Sequence, residues 1–188
     1  ISLYNATDDF MPITLSASKS FFRISKVKEL NLRFNEKIRP NFEDAHFLNR
    51  YLLGLKEGRI AYLRKPVYYY RKRENGSSTL DSSWSNPDRV STVLRLGMFD
   101  LLKRAKDQRG YVPFFIQKTV LYDLQWYFKL FVGHEERTHK FEDLGITDRF
   151  WNNLRDIFSL IDEEAIEAMP GGCLLYTSPS PRDAHESR

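Results

Sequence analysis

The spacing of apolar positions predicts a helix with one buried face near the middle of the first half of the chain. Between residues 44 and 55 apolar side chains recur every three or four positions, at Phe47, Leu48, Tyr51, Leu52 and Leu55. This spacing is typical of a helix that packs one side against a core. Asp44 stands at the head of the apolar stripe, so we expect its carboxylate to point inward.

An inward-pointing carboxylate at a helix start has two interpretations. Burying a charge costs free energy unless the group is paired or used, whereas the positive end of the helix dipole favours the ionised form. These two properties suit a general base. The alternative is the commoner use of such residues, in which Asn41 is the N-cap and Asp44 satisfies free amides of the first turn.

Shorter patterns on both sides of this helix predict strands and turns. The mixture of β-branched, small and aromatic residues in 13–24 predicts a strand that ends near residue 22, and Ser25 is then expected to cap a short helix through Asn31. After the long helix, residues 59–63 predict a strand, and Pro66 is expected to open another over residues 67–73.

The strand predicted over residues 67–73 carries a pair of guanidinium groups. Strand alternation places Arg71 and Arg73 on the same face, and residues 74–79 after them are rich in turn formers and small hydroxyls. Because guanidinium binds phosphate through two parallel hydrogen bonds, the pair suits a diphosphate. The alternative is an edge strand whose cations prevent pairing with another sheet.

From residue 84 onward the pattern becomes helical. Asn86 and Pro87 predict an N-cap and a first-turn proline for a helix that ends near Gly110. Pro113 begins a second helix, which is so apolar that we expect it to be largely buried. Charged residues inside it argue against a transmembrane span. Thr147 is expected to cap an amphipathic helix, which a short acidic helix follows at 162–169.

Composition and charge exclude few classes of protein. The chain is 41% hydrophobic and 29% charged, which is typical of a globular domain, and its net charge of +4 is compatible with an anionic substrate or membrane surface. That excess alone is too small to predict nucleic-acid binding. The chain starts at Ile1 without a signal-peptide pattern, so we expect further sequence before it.

The last residues differ in character from the rest. Residues 173–188 resemble a translated sequencing adaptor, and we expect them to be read-through and not natural protein; a genuine Ser/Pro-rich tail is the alternative. Cys173, the only cysteine, lies there. Without it the chain has no disulfide, no thiol nucleophile and no cysteine metal ligand.

The order of motifs along the chain resembles the second half of family 2 glycosyltransferases. Residues 41–44 lead into a helix, a strand follows, and then come residues 68–73 and a Ser/Thr loop. The closer resemblance is to bacterial chains that join such a domain to a CDP-glycerol:glycerophosphate glycerophosphotransferase. It implies an α/β fold class, in which residues 1–81 are the C-terminal half of a GT-A, Rossmann-like domain and residues 82–172 are an α-helical extension.

The same resemblance implies the chemistry. Asp44 would be the catalytic base, supported by Glu43, and the donor diphosphate would be held by Arg71, Arg73, Ser77 and Ser78. The donor would be a nucleotide-sugar, and the acceptor a polymer or lipid-linked alcohol in the synthesis of a teichoic-acid-like wall or capsule. The site of action would be cytoplasmic, at the inner face of the bacterial plasma membrane, with a fused glycerophosphotransferase domain as a partner.

One departure from the family bears on activity. The Asp-x-Asp motif that binds Mg²⁺ or Mn²⁺ in these enzymes is not found, since Asp8 and Asp9 have the wrong spacing. We therefore expect the ligands of the divalent cation upstream, and this chain to be inactive alone with apolar surface left exposed.

Two other hypotheses stay open. A non-enzymatic helical module could bind an anionic membrane or a partner domain through a basic face, made of Lys26, Lys28, Lys37, Arg39 and residues 71–73. The helices could also belong to a glycerophosphotransferase site, although His134 and His139 lie in a polar connection that favours solvated side chains.

Overall fold

The computed structural model describes residues 1–5, 11–55, 58–69, 86–131 and 145–169, and of residues 129–131 it describes the backbone alone. Several predictions from the sequence fall outside these residues. They are the strand and loop with Arg71, Arg73, Ser77 and Ser78, both histidines of the polar connection, and the tail from residue 173.

The described residues are mostly helical, with one small sheet. In chain order the elements are β1 Ser2–Asn5, a 3-10 turn Ala17–Lys19, α1 Ile24–Glu29, α2 Glu43–Gly54, β2 Arg59–Tyr62, a 3-10 turn Pro87–Val90, a π-helical segment Val93–Phe99, α3 Asp100–Arg109, α4 Phe114–Phe131, α5 Thr147–Phe158 and α6 Glu163–Glu167. This content is consistent with a partial α/β domain.

The strand predicted at residues 59–63 is confirmed as β2. It pairs antiparallel with β1, with Tyr4 opposite Ile60 and Leu3 opposite Ala61. Burial alternates along both strands, so Tyr4, Ile60 and Tyr62 face the core and Leu3 faces outward. The rings of Tyr4 and Tyr62 meet edge to face at 5.4 Å between centroids, which closes the inner face of the sheet.

The strand predicted within residues 13–24 and the cap predicted at Ser25 are wrong, and of the strand predicted over residues 67–73 the structure describes only residues 67–69. Residues 11–16 are not in regular structure and a 3-10 turn follows them, because Ser20 Oγ donates to the Ser16 carbonyl over 3.1 Å and so offers the backbone an alternative to a ladder. The described part of the second strand, 66–69, is exposed and not in a strand. The short helix begins at Ile24, so Ser25 lies inside it.

The helices after residue 86 lie where the sequence pattern predicts them, but the first begins as a 3-10 turn and a π-helical segment before it becomes α3. Asn86 Oδ1 accepts a hydrogen bond from the Asp88 amide over 2.9 Å, as expected of a cap, and α3 ends at Gly110 with a left-handed φ of 79°. Helix α4 has a largely buried surface, as predicted. Thr147 is the first residue of α5 and not its cap, which is Ile146.

One apolar core joins α2 to the later helices. Its members include Leu48 and Leu52 from α2 together with side chains from the π-helical segment, α3, α4 and α5, among them Leu94, Leu101, Leu124 and Leu154. Because α2 packs on these helices, they help to determine where its first turn lies. No helix in the described ranges is long and apolar enough to cross a membrane.

Candidate functional site

The first turn of α2 begins at an unusual backbone conformation. Phe42 is the N-cap residue, with a left-handed φ of 75°, and its carbonyl accepts the first helical hydrogen bond from His46 N over 2.8 Å. The Asn41 side chain does not cap the helix, and its amide lies 3.5 Å from Asp123 Oδ2 instead. The prediction of Asn41 as the N-cap is therefore wrong, because its side chain turns toward α4.

The structure places Asp44 half-buried in this first turn. Its Oδ2 accepts a hydrogen bond from the backbone amide of Ala17 over 3.1 Å. Within the described ranges no Lys or Arg lies within ion-pair distance of the carboxylate, and Oδ1 accepts no hydrogen bond there. The carboxylate is thus held in place by one neutral donor and keeps lone pairs for another donor, which is what a general base needs.

Glu43 lies beside Asp44, and its carboxyl group has a raised pKa. Its Oε2 is buried and meets no donor among the described side chains and amides. Burial raises the pKa of Glu43, and the charge of Asp44 adds to this rise, against a hydrogen bond from its own backbone amide and the charge of Arg39. The helix therefore starts with two adjacent acids in different environments.

The 3-10 turn that holds Asp44 is rich in hydroxyl groups. Ser16 Oγ and Ser18 Oγ lie 2.9 Å apart, and Tyr68 OH lies 3.5 Å from Ser18 Oγ. The ammonium group of Lys19 lies 5.2 Å from the centre of the Tyr68 ring. The exposed Lys19 and the hydroxyl groups of Ser16 and Ser18 are therefore within two residues of the Ala17 amide, which binds Asp44.

A second polar cluster forms around His46, two residues after Asp44. His46, only 1% exposed, shares a 2.9 Å hydrogen bond between its Nε2 and Asp100 Oδ2, and Arg104 Nε donates to the same oxygen over 2.5 Å. Burial lowers the pKa of His46, against the pull of Asp100. Burial alone would raise the pKa of Asp100, but the hydrogen bonds from His46 and Arg104 bring it to about 2.

A third cluster surrounds Asp123 of α4. Burial raises the pKa of Asp123 to about 6, partly opposed by the charge of Arg89 and by Asn41. Arg89 is itself buried, with its guanidinium 5.3 Å from the centre of the Tyr127 ring, and Tyr127 OH donates to the Arg89 carbonyl over 3.1 Å. The sequence showed an aspartate within the apolar helix α4, but it could not show that Arg89 and Asn41 lie beside that aspartate.

The described residues contain no group of three His, Cys, Asp or Glu side chains that could hold a metal ion. Three aspartates bond to different groups: Asp44 of α2 to the Ala17 amide, Asp100 of α3 to His46, and Asp123 of α4 to Asn41.

Comparison with known proteins relates the chain to two curated proteins of Bacillus subtilis (strain 168). It is 28% identical over 136 residues to minor teichoic acid biosynthesis protein GgaB, and 30% identical over 121 residues to minor teichoic acid biosynthesis protein GgaA. The aligned parts cover 72% and 64% of this chain, but only 14% and 26% of those proteins. No family model matches the chain, and no solved structure gives a significant match.

Proposed function

We propose that this chain belongs to an inverting glycosyltransferase of family 2 with a GT-A fold, which transfers a sugar from a nucleotide-sugar to a hydroxyl group of a teichoic-acid-like polymer. The observation that carries the proposal is the half-buried carboxylate of Asp44, held by the Ala17 amide and without a cationic partner in the described ranges. The similarity to two teichoic acid biosynthesis proteins supports the class of polymer.

In the proposed reaction Asp44 takes the proton of the acceptor hydroxyl. The acceptor oxygen forms a bond to the anomeric carbon while the bond from that carbon to the donor diphosphate breaks, so that the nucleoside diphosphate leaves with the electron pair and the configuration inverts. The fixed Ala17 amide holds one carboxylate oxygen, which orients the other toward the acceptor. Arg71, Arg73, Ser77 and Ser78 would bind the leaving diphosphate.

The test is an assay of the complete natural protein that carries this chain. With a panel of nucleotide-sugars and a polyol-phosphate acceptor, we expect nucleoside diphosphate release that depends on the acceptor. NMR of the product should show an anomeric configuration opposite to that of the donor. Retention of configuration, or release that no acceptor in the panel stimulates, would contradict the proposal.

The runner-up function is a non-enzymatic module that contacts an anionic membrane. One observation favours it: Phe21 is 100% exposed and Ile24 is 66% exposed, next to the basic residues Lys26 and Lys28 of α1. Such a mixture of apolar and basic side chains suits a lipid surface. Binding to anionic vesicles that falls steeply with salt, in a complete protein that binds no nucleotide-sugar, would favour this function over sugar transfer.

A further inference from the structure

We propose that Phe42 is a positioning residue for Asp44, and that its ring transmits the position of the helices after residue 86 to the first turn of α2. This inference rests on the proposed function, because it assigns to Phe42 a role in placing the candidate base. Phe42 does not act on substrate itself. Its effect would come only through Asp44.

The backbone of Phe42 determines where α2 starts. A φ of 75° is sterically disfavoured for a residue with a large side chain, so surrounding contacts must hold it. The side chain is 6% exposed, and the Phe42 carbonyl accepts the first hydrogen bond of the helix. Asp44 follows two residues later, so any rotation at Phe42 moves its carboxylate relative to the Ala17 amide.

The contact that holds Phe42 is with a glycine of the π-helical segment. A Cβ atom added to Gly97 would lie 2.9 Å from Phe42 Cδ1 and 3.5 Å from Ile38 Cγ2, so the phenyl ring occupies the space that any other residue would need. Glycine inside a helix is less stable than alanine. The close approach of the ring gives a physical reason for glycine at this position. Short π-helical segments also occur frequently at functional sites.

Two further contacts flank this one on either side. Asn41, just before Phe42, reaches Asp123 of α4, and His46, four residues after Phe42, bonds to Asp100 of α3. The first turn of α2 is therefore held from three later elements at once. With three such contacts, a shift of these later elements would move the first turn of α2 and the Asp44 carboxylate with it, which goes beyond the burial of one aromatic ring.

The experiment compares Gly97→Ala, Phe42→Ala and the double variant in the complete protein. Gly97→Ala is expected to lower kcat for transfer about tenfold with the donor KM unchanged, because small displacements of a catalytic group are costly. Phe42→Ala is expected to lower kcat at least as much. Adding Gly97→Ala to Phe42→Ala should then cause no further loss, because the ring with which the new methyl group clashes is gone.

Unfolding of the chain itself gives a second measurement that does not depend on activity. Gly97→Ala should lower the unfolding temperature when Phe42 is present and raise it when residue 42 is alanine, since alanine is the better helix former. The control is Met169→Ala, which removes a buried side chain of a separate apolar cluster that does not include Phe42 or the π-helical segment. We expect it to lower the unfolding temperature and to leave kcat within about twofold.

The outcomes separate this inference from the function on which it rests. If Gly97→Ala stabilises the protein and keeps kcat, or if the two losses multiply in the double variant, the positioning role is wrong while the proposed function stands. If Asp44→Asn retains turnover, the proposed function is wrong and the inference fails with it. Loss in Asp44→Asn together with the non-additive pattern would support both.

Discussion

Replacing Asp44 with asparagine is expected to lower kcat for sugar transfer by about a hundredfold to ten-thousandfold, the usual contribution of a general base. Asparagine has the same shape, and its Oδ1 can still accept the hydrogen bond from the Ala17 amide. It cannot take a proton from the acceptor. Donor affinity, measured by calorimetry on the complete protein, should therefore stay within about twofold while turnover falls.

Two matched variants distinguish loss of a base from loss of a helix-start charge. Asp148 is an exposed acid in the first turn of α5, so Asp148→Asn removes a similar charge and should leave kcat unchanged. Glu43→Gln should lower kcat less than Asp44→Asn, because Glu43 is proposed to support the base. Turnover within tenfold of wild type in Asp44→Asn would remove Asp44 as the base.

Helix α2 could be predicted because its signal is local. The three-to-four spacing of Phe47, Leu48 and Tyr51 depends only on residues within the helix, and it also placed Asp44 at the buried face. The partners of the helix are remote in sequence. The Ala17 amide lies 27 residues before Asp44, and Asp100 lies 54 residues after His46, so no periodicity could have paired them.

Where local prediction failed, side chains had replaced the expected backbone pairing. The strand predicted within residues 13–24 does not form, whereas the polar run from Ser16 to Ser20 is the turn that its composition favours, with hydroxyl groups that bond to each other and to the Ser16 carbonyl. That turn then supplies the amide for Asp44. At residue 42 a phenylalanine adopts a backbone conformation that is usually taken by glycine, and its ring fills the space beside Gly97.

Two partly buried aspartates are expected to change stability in opposite directions when each is replaced by asparagine. The pKa of Asp123 is raised to about 6, so the folded protein holds that proton more tightly than the unfolded chain, and stability falls as pH rises from about 4 to about 6. The difference corresponds to about 3 kcal/mol as an upper figure. Asp123→Asn should thus raise the free energy of unfolding by about 1–3 kcal/mol at pH 7.5, with little effect at pH 4.

Asp100 has the reverse dependence. Its pKa of about 2 means that its ionised form is favoured in the folded protein, so its contribution is present above about pH 4 and is lost as pH falls toward 2. Its side chain is 30% exposed, so with allowance for solvent screening Asp100→Asn should lower the free energy of unfolding by about 1–2 kcal/mol at pH 7.5.

Urea unfolding of the chain and its two variants at several pH values between 4 and 7.5 tests both signs. The attraction between Asp123 and Arg89 does not change the stabilisation expected from Asp123→Asn, because the pKa of Asp123 is raised even with Arg89 beside it. The free-energy cost of burying the Asp123 carboxylate therefore exceeds the stabilisation that it gains from Arg89. If Asp123→Asn destabilised the protein at pH 7.5 as Asp100→Asn does, the attraction between Asp123 and Arg89 would exceed the cost of burial, and these two residues would form an ion pair that the fold requires.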